Sequence, residues 1–163
     1  MSYSYSLRWL FAVSGVVCIL LALLSFELEY SAKMERLTTD LSDSGITVNA
    51  SAATPSVYGR CLFYRIEGVI ARGDIQYQCI LAHRPACDGI GIYDARVPAK
   101  DLVDLAHSTG CTIISLRRCE IESPIEGTIQ PDYKVVEVRY NSLDSKSLDV
   151  LRRYFPNAHV FEN

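Results

Sequence analysis

Residues 9–26 read WLFAVSGVVCILLALLSF, eighteen positions without a charge, bounded by Arg8 on one side and by Glu27 and Glu29 on the other. A run of this length and composition just spans the bilayer core, so the pattern predicts a transmembrane anchor at 9–26 behind a short tail at 1–8. Arg8 before the run and two glutamates after it favour a cytoplasmic N-terminus. The expected protein is single-pass, with its C-terminal domain on the non-cytoplasmic side of the membrane. A cleaved signal peptide is the competing reading, but LSFELE offers no small-x-small cleavage site. Val16 and Val17 stand before Cys18 where a lipidated cysteine would want small residues.

Beyond the run, Leu28, Met34, Leu37 and Leu41 alternate with charged residues at loosely helical spacing. The anchor helix is therefore expected to continue outward as a stalk until Gly45. Residues 46–48 (ITV) suggest a short strand, and 49–56 (NASAATPS) read as a small-residue linker, so stalk and linker together fill 27–62. Asn49-Ala50-Ser51 has the form of a glycosylation triplet, a pattern that is frequent by chance.

The remaining chain repeats itself. Leu81-Ala82-His83 with Cys87 recurs as Leu105-Ala106-His107 with Cys111, every member displaced by the same interval. Extending that spacing matches Cys87, Ile90, Ile92 and Val97 with Cys111, Ile114, Leu116 and Ile121, and then, after a slightly shorter interval, with Tyr133, Val136, Val138 and Leu143. Asn157 and Val160 begin a last partial unit. Between the strand patterns, residues 98–105 predict a short helix with Leu102 and Leu105 inward and Gly110 beyond its end. Leu148 and Leu151 predict another between Asp144 as N-cap and Pro156 as stop. Residues 123–131, with two prolines and a glycine, predict an irregular loop that buries Ile125 and Ile129. Upstream, a degenerate unit at Phe63 and Ile66, ending in Leu81, reads as an N-terminal cap.

Each unit has the form apolar-x-x-apolar-x-apolar followed by a fifth-position residue, which resembles the leucine-rich repeat. Cys119 and Asn141 take the fifth position, where the family's Asn or Cys turns inward and bonds to turn backbone; Ala95 takes it in the first unit and lacks that capacity. The ending Leu151-Arg152-Arg153-Tyr154-Phe155-Pro156-Asn157 is similar to the Leu-x-x-x-x-Pro-Asn ending of short bacterial leucine-rich-repeat proteins with an N-terminal membrane segment. The resemblance implies an α/β solenoid over 63–163, of three to four repeats of parallel strands with helices or loops on the convex side. It also implies a concave face that binds a protein or peptide partner, presenting Tyr93, Ser115, Arg117, Glu137, Arg139 and Tyr140. Tyr93, Arg117 and Arg139 are expected to form one column, since stacked strands align equivalent side chains.

Composition changes little in this picture. A net charge of -3 and no long Lys/Arg cluster exclude a nucleic-acid footprint. His83-x-x-x-Cys87 and His107-x-x-x-Cys111 have the residue types of a zinc site, yet the repeat places both cysteines at an apolar position, so no metal is expected. No glycine loop for phosphate is present, since Gly89 and Gly91 lead into a strand pattern rather than a helix, and no cofactor is expected. The chain is expected not to be an enzyme. The alternatives are a thiol-dependent enzyme or redox protein using Cys61 or Cys79, which could also pair as a disulfide, and a structural subunit that packs through the terminal strand His159-Val160-Phe161.

Overall fold

The computed structural model describes residues 7–57, 60–122, 135 and 137–162, with side chains described for 9–51, 64–122, 135 and 137–162. A helix of 37 residues, α1 (Leu7–Asp43), comes first. It is followed by strands β1 (Thr47–Val57) and β2 (Arg60–Arg72), helix α2 (Gly73–His83), strands β3 (Cys87–Tyr93) and β4 (Arg96–Pro98), and helix α3 (Ala99–Thr109). Strands β5 (Ile113–Arg117), β6 (Glu120–Glu122) and β7 (Glu137–Asn141), helix α4 (Ser145–Tyr154) and strand β8 (His159–Glu162) complete the order. Six strands form one mixed sheet in the order β1-β2-β3-β5-β7-β8; β4 and β6 form a separate two-stranded ladder. The β1–β2 pair is antiparallel and every other pair is parallel.

This architecture corrects the expected leucine-rich-repeat-like solenoid. The sheet is mixed, its first edge is a long antiparallel hairpin, and α1 supplies part of the core that a solenoid would close with its own units. The structure is an α/β fold with one long N-terminal helix. Spacing along a sequence reports which residues face inward, whereas the direction in which two strands pair is a non-local choice that leaves no periodic signal. Residues 49–56 illustrate the point: small side chains suggested a linker, but pairing with β2 makes them strand.

The stalk is likewise part of the domain. Met34, Leu41 and Ile46 are buried in the same core as Val69, Ile80 and Ile92. Ser31 accepts a hydrogen bond from the Tyr64 backbone N–H (3.2 Å), and Glu27 pairs with Arg65 (3.1 Å). Gly45, with φ of +80°, ends the helix where a side chain would be strained.

Within the parallel strands, Val69, Ile90, Ile114, Val138 and Val160 lie side by side in one row. The step from Ile90 to Ile114 is repeated unchanged from Ile114 to Val138, and the shorter step falls between β7 and β8, one unit later than the apolar pattern indicated. Ile66 pairs with Cys87 rather than with Ile90, so the upstream unit is also offset from its expected register. Asp94, Arg118 and Ser142, each directly after a strand and equally spaced along the chain, all adopt left-handed backbone. They turn the chain identically three times.

The helices follow their apolar stripes. Leu102 and Leu105 of α3 are buried, and Gly110 closes it in left-handed conformation. Asp144 caps α4 by accepting from the Ser147 N–H at 2.7 Å, and Leu151 is fully buried while Leu148 is half-buried. Helix α2 ends at His83 and buries Tyr77 and Ile80. The loop expected to bury Ile125 and Ile129, the positions Tyr133 and Val136, and the side chains of Cys61 and Phe63 lie outside the described residues.

Candidate binding face

Side chains alternate across a strand, so the buried row Ile90, Ile92, Ile114, Leu116 and Val138 fixes what the other face carries. Three rows cross that open face. The first is Gly68, Gly89, Ile113, Glu137 and His159; the second is Ile70, Gly91, Ser115, Arg139 and Phe161; the third is Arg72, Tyr93, Arg117 and Asn141.

The open face is uneven. Over β2 and β3 three glycines leave a trough of about 180 Å³, bordered by Asn49, Ile70, Tyr93, Ile113 and Ser115. A Cβ at Gly68 would lie 3.3 Å from the Gly89 carbonyl oxygen, and one at Gly91 would lie 3.2 Å from Ile70 Cγ1. Both contacts are tighter than ordinary packing, so the bare backbone at these two positions is what keeps the strands and Ile70 in place. Gly89 differs: its Cβ would meet only backbone oxygens at 3.9 Å. No packing reason demands glycine there.

Toward β7 the face becomes charged. Arg139 holds Glu137 of its own strand (2.7 and 3.1 Å) and stands 5.9 Å from the Phe161 ring centroid. At the strand ends Arg118 grips Asp94 through two hydrogen bonds, and that guanidinium holds the Asp94 carboxyl below the usual carboxylate range. Arg72 and Arg117, the ladder neighbours of Tyr93 on either side, are exposed and make no ion pair among the described residues. Tyr93 at the rim of the trough thus stands between two cations that can meet a partner.

Five of the six residues expected at the binding surface share this face: Tyr93, Ser115, Arg117, Glu137 and Arg139. Tyr140 does not, since it pairs with Leu116 on β5 and falls on the core-facing parity. The expected Tyr93–Arg117–Arg139 column is also corrected: Asn141 completes that row, and Arg139 sits one row away beside Ser115. Both errors come from the misplaced short interval, which moved β7 along its neighbour. The glycines of the trough were missed as site residues because a residue without a side chain gives no chemical signal, and Arg72 was missed because the upstream unit was set in the wrong register.

The other candidate chemistry disperses. Cys87 is buried at the start of β3 and Cys111 is buried just ahead of β5, while His83 and His107 are exposed at helix ends, and no metal-holding group of three His, Cys, Asp or Glu exists among the described residues. Burial pushes the Cys87 thiol up to about 12, with Cys111 adding to it, and burial raises Cys111 and Cys119 as well. Cys119 instead donates to the Ile92 carbonyl at 3.1 Å, the inward turn bond expected of it. Asn141, expected to do the same, lies in the ladder opposite Arg117, and it is Leu143 that stands one full repeat beyond Cys119. Cys79 is a free thiol whose Sγ lies 3.5 Å from His83 Nδ1, but that nitrogen also lies 2.9 Å from the Cys79 carbonyl oxygen. A proton on Nδ1 satisfies the carbonyl and removes the lone pair that would activate the thiol.

No family model, curated protein or solved structure matches the chain. The functional reading rests on this face and on α1, which is long and apolar enough to cross a membrane.

Proposed function

We propose that the chain is a membrane-tethered binding module, without catalysis, that receives an extended segment of a partner protein on the open face of its sheet. The observation that carries this reading is the glycine-floored trough with Tyr93 at its rim between Arg72 and Arg117. A segment lying there meets backbone and Ile70 with small or apolar side chains, and an acidic group on it meets a guanidinium suited to bidentate contact. Tyr and Arg are the residue types that most often dominate recognition energies.

Tethering is supported by the first half of α1, where residues from Trp9 to Phe26 point apolar side chains outward with none of that window buried in the protein. A helix that is apolar all round belongs in a core or a bilayer.

The test is cross-linking and pull-down from native membranes with the intact protein, an Arg117→Glu variant and a Gly89→Val variant. Valine fills the trough where a Cβ is tolerated, and Arg117→Glu reverses the rim charge. Partners retained by the intact chain and lost at least tenfold by both folded variants support the reading. An unchanged partner set in both removes it.

A further inference from the structure

The two halves of α1 and the path of β2 together place part of the domain at the height of the bilayer. Ser31 bonds to the Tyr64 backbone, and at the far end Gln76 donates to the Gly45 carbonyl while accepting from the Arg72 N–H. Helix and strand therefore run side by side in the same direction. From Ser31 to Asp43 the helix advances about 18 Å, and from Tyr64 to Arg72 the strand advances about 26 Å. The strand is the longer path between the two contacts, so it runs in the same sense as the helix but inclined to it by roughly 45°. Traced backward from Tyr64, β2 continues to Arg60, where it pairs with Val57 of β1, a further run of about 13 Å. At that inclination it covers the rise of about six helical residues. It brings the start of β2 level with about residue 25, at the end of the uncharged run.

The chemistry at the boundary fits this height. Just past Phe26, Glu27 pairs with Arg65, and the Arg65 guanidinium lies 4.8 Å from the centroid of the Tyr30 ring. Residues 60–64 of β2 read RCLFY, one cation with leucine and two aromatic residues. Aromatic rings and long cationic side chains concentrate at the membrane–water interface, where a ring meets acyl chains and a charge reaches headgroups.

We propose that residues 60–64, with their ladder partners on β1, sit in the interfacial layer of the bilayer that α1 spans, so that the domain is held at two points. This rests on α1 being membrane-spanning.

The test uses the full chain in vesicles of phosphatidylcholine and phosphatidylglycerol carrying lipids brominated near the headgroup end of the acyl chain. Native Trp9 is the one tryptophan and reports on α1 itself. In a Trp9→Phe background, Leu62→Trp and Phe63→Trp are compared with Arg117→Trp at the far end of the sheet. Adjacent strand positions sample both faces, so at least one of the first pair is expected to lose half or more of its emission while Arg117→Trp loses none. Equal, negligible quenching at all three sites with Trp9 still quenched overturns the second contact and leaves the anchor standing; an unquenched Trp9 overturns the anchor. The unaltered chain gives an independent readout. In the same vesicles, a phospholipid with a photoactivated carbene near the headgroup end of its acyl chain is expected to label residues 60–64 as well as 9–26, and to leave 113–117 unlabelled. Labelling of 9–26 without 60–64 overturns the proposal.

Discussion

The two faces of the parallel sheet are built from the same five strands, yet the buried positions of one are mainly Ile, Leu and Val, while the other mixes Gly, Ser, Tyr and charged residues with Ile70, Ile113 and Phe161. On the core face the buried positions serve packing. On the open face no single rule governs. Side chains vanish over β2 and β3, Arg72 and Arg117 flank Tyr93 at the strand ends, and β7 neutralises its own charge through Glu137 and Arg139. Close packing accounts for Gly68 and Gly91, whereas Gly89 weakens its strand with no packing reason for it.

Substitutions that shift one face and spare the other test this contrast. The largest effect is expected at Leu116, which is 1% exposed and central to the core face. Leu116→Ala removes about 3 kcal/mol of unfolding free energy, read by urea denaturation. An Arg117→Ala variant, one residue away on the open face, leaves the midpoint unchanged; equal losses at both sites would erase the distinction between the faces.

An intermediate effect belongs to the helix layer behind the core face. Asp144→Ala deletes the α4 cap and lowers Tm by about 2–4 °C. Its carboxyl is held below the ordinary range by the Ser147 hydrogen bonds, as Asp94's is by Arg118. A depressed carboxylate stabilises the fold above its unfolded value and that contribution is lost as pH falls through the folded value. Stability should therefore be flat around neutrality and decline below pH of about 4, less steeply in Asp144→Ala. Identical acid profiles in variant and parent would assign the decline to other groups.

The smallest stability effect is expected in the trough. Gly89→Ala adds a Cβ in ordinary contact on a strand and changes Tm by no more than about 2 °C, upward because glycine weakens strands. Gly68→Ala presses on a carbonyl at 3.3 Å and lowers it instead. Two variants of the same sign would contradict the packing described for the trough floor.

Much of this contrast was written in the order of residues. Regularly recurring apolar positions gave the neighbours Ile90 and Ile114 and the buried faces of α3 and α4, because helix and strand periods are local properties of the chain; the inward turn of Cys119 was expected from the repeat it resembles. The uncharged stretch before Glu27 carried the candidate membrane span in the same way. The register of β7 was not legible, since residues 123–134 separate it from the previous repeat and a shift of two leaves the same parity inward. That single shift misplaced Arg139 by one row and set Tyr140 level with Arg118, beyond the strand, instead of opposite Leu116.

What the sequence determined alone was therefore local: the apolar helix, the inward rows, the caps and the turns. The tertiary structure decided direction and adjacency. Only in three dimensions does the second half of α1 leave solvent for the sheet, a small-residue segment become the antiparallel edge β1, and Gly68, Gly89 and Gly91 meet to form a trough. Pairing between strands is a non-local choice, settled by which long-range arrangement buries the apolar rows while satisfying every backbone group. No run of neighbouring residues contains that information.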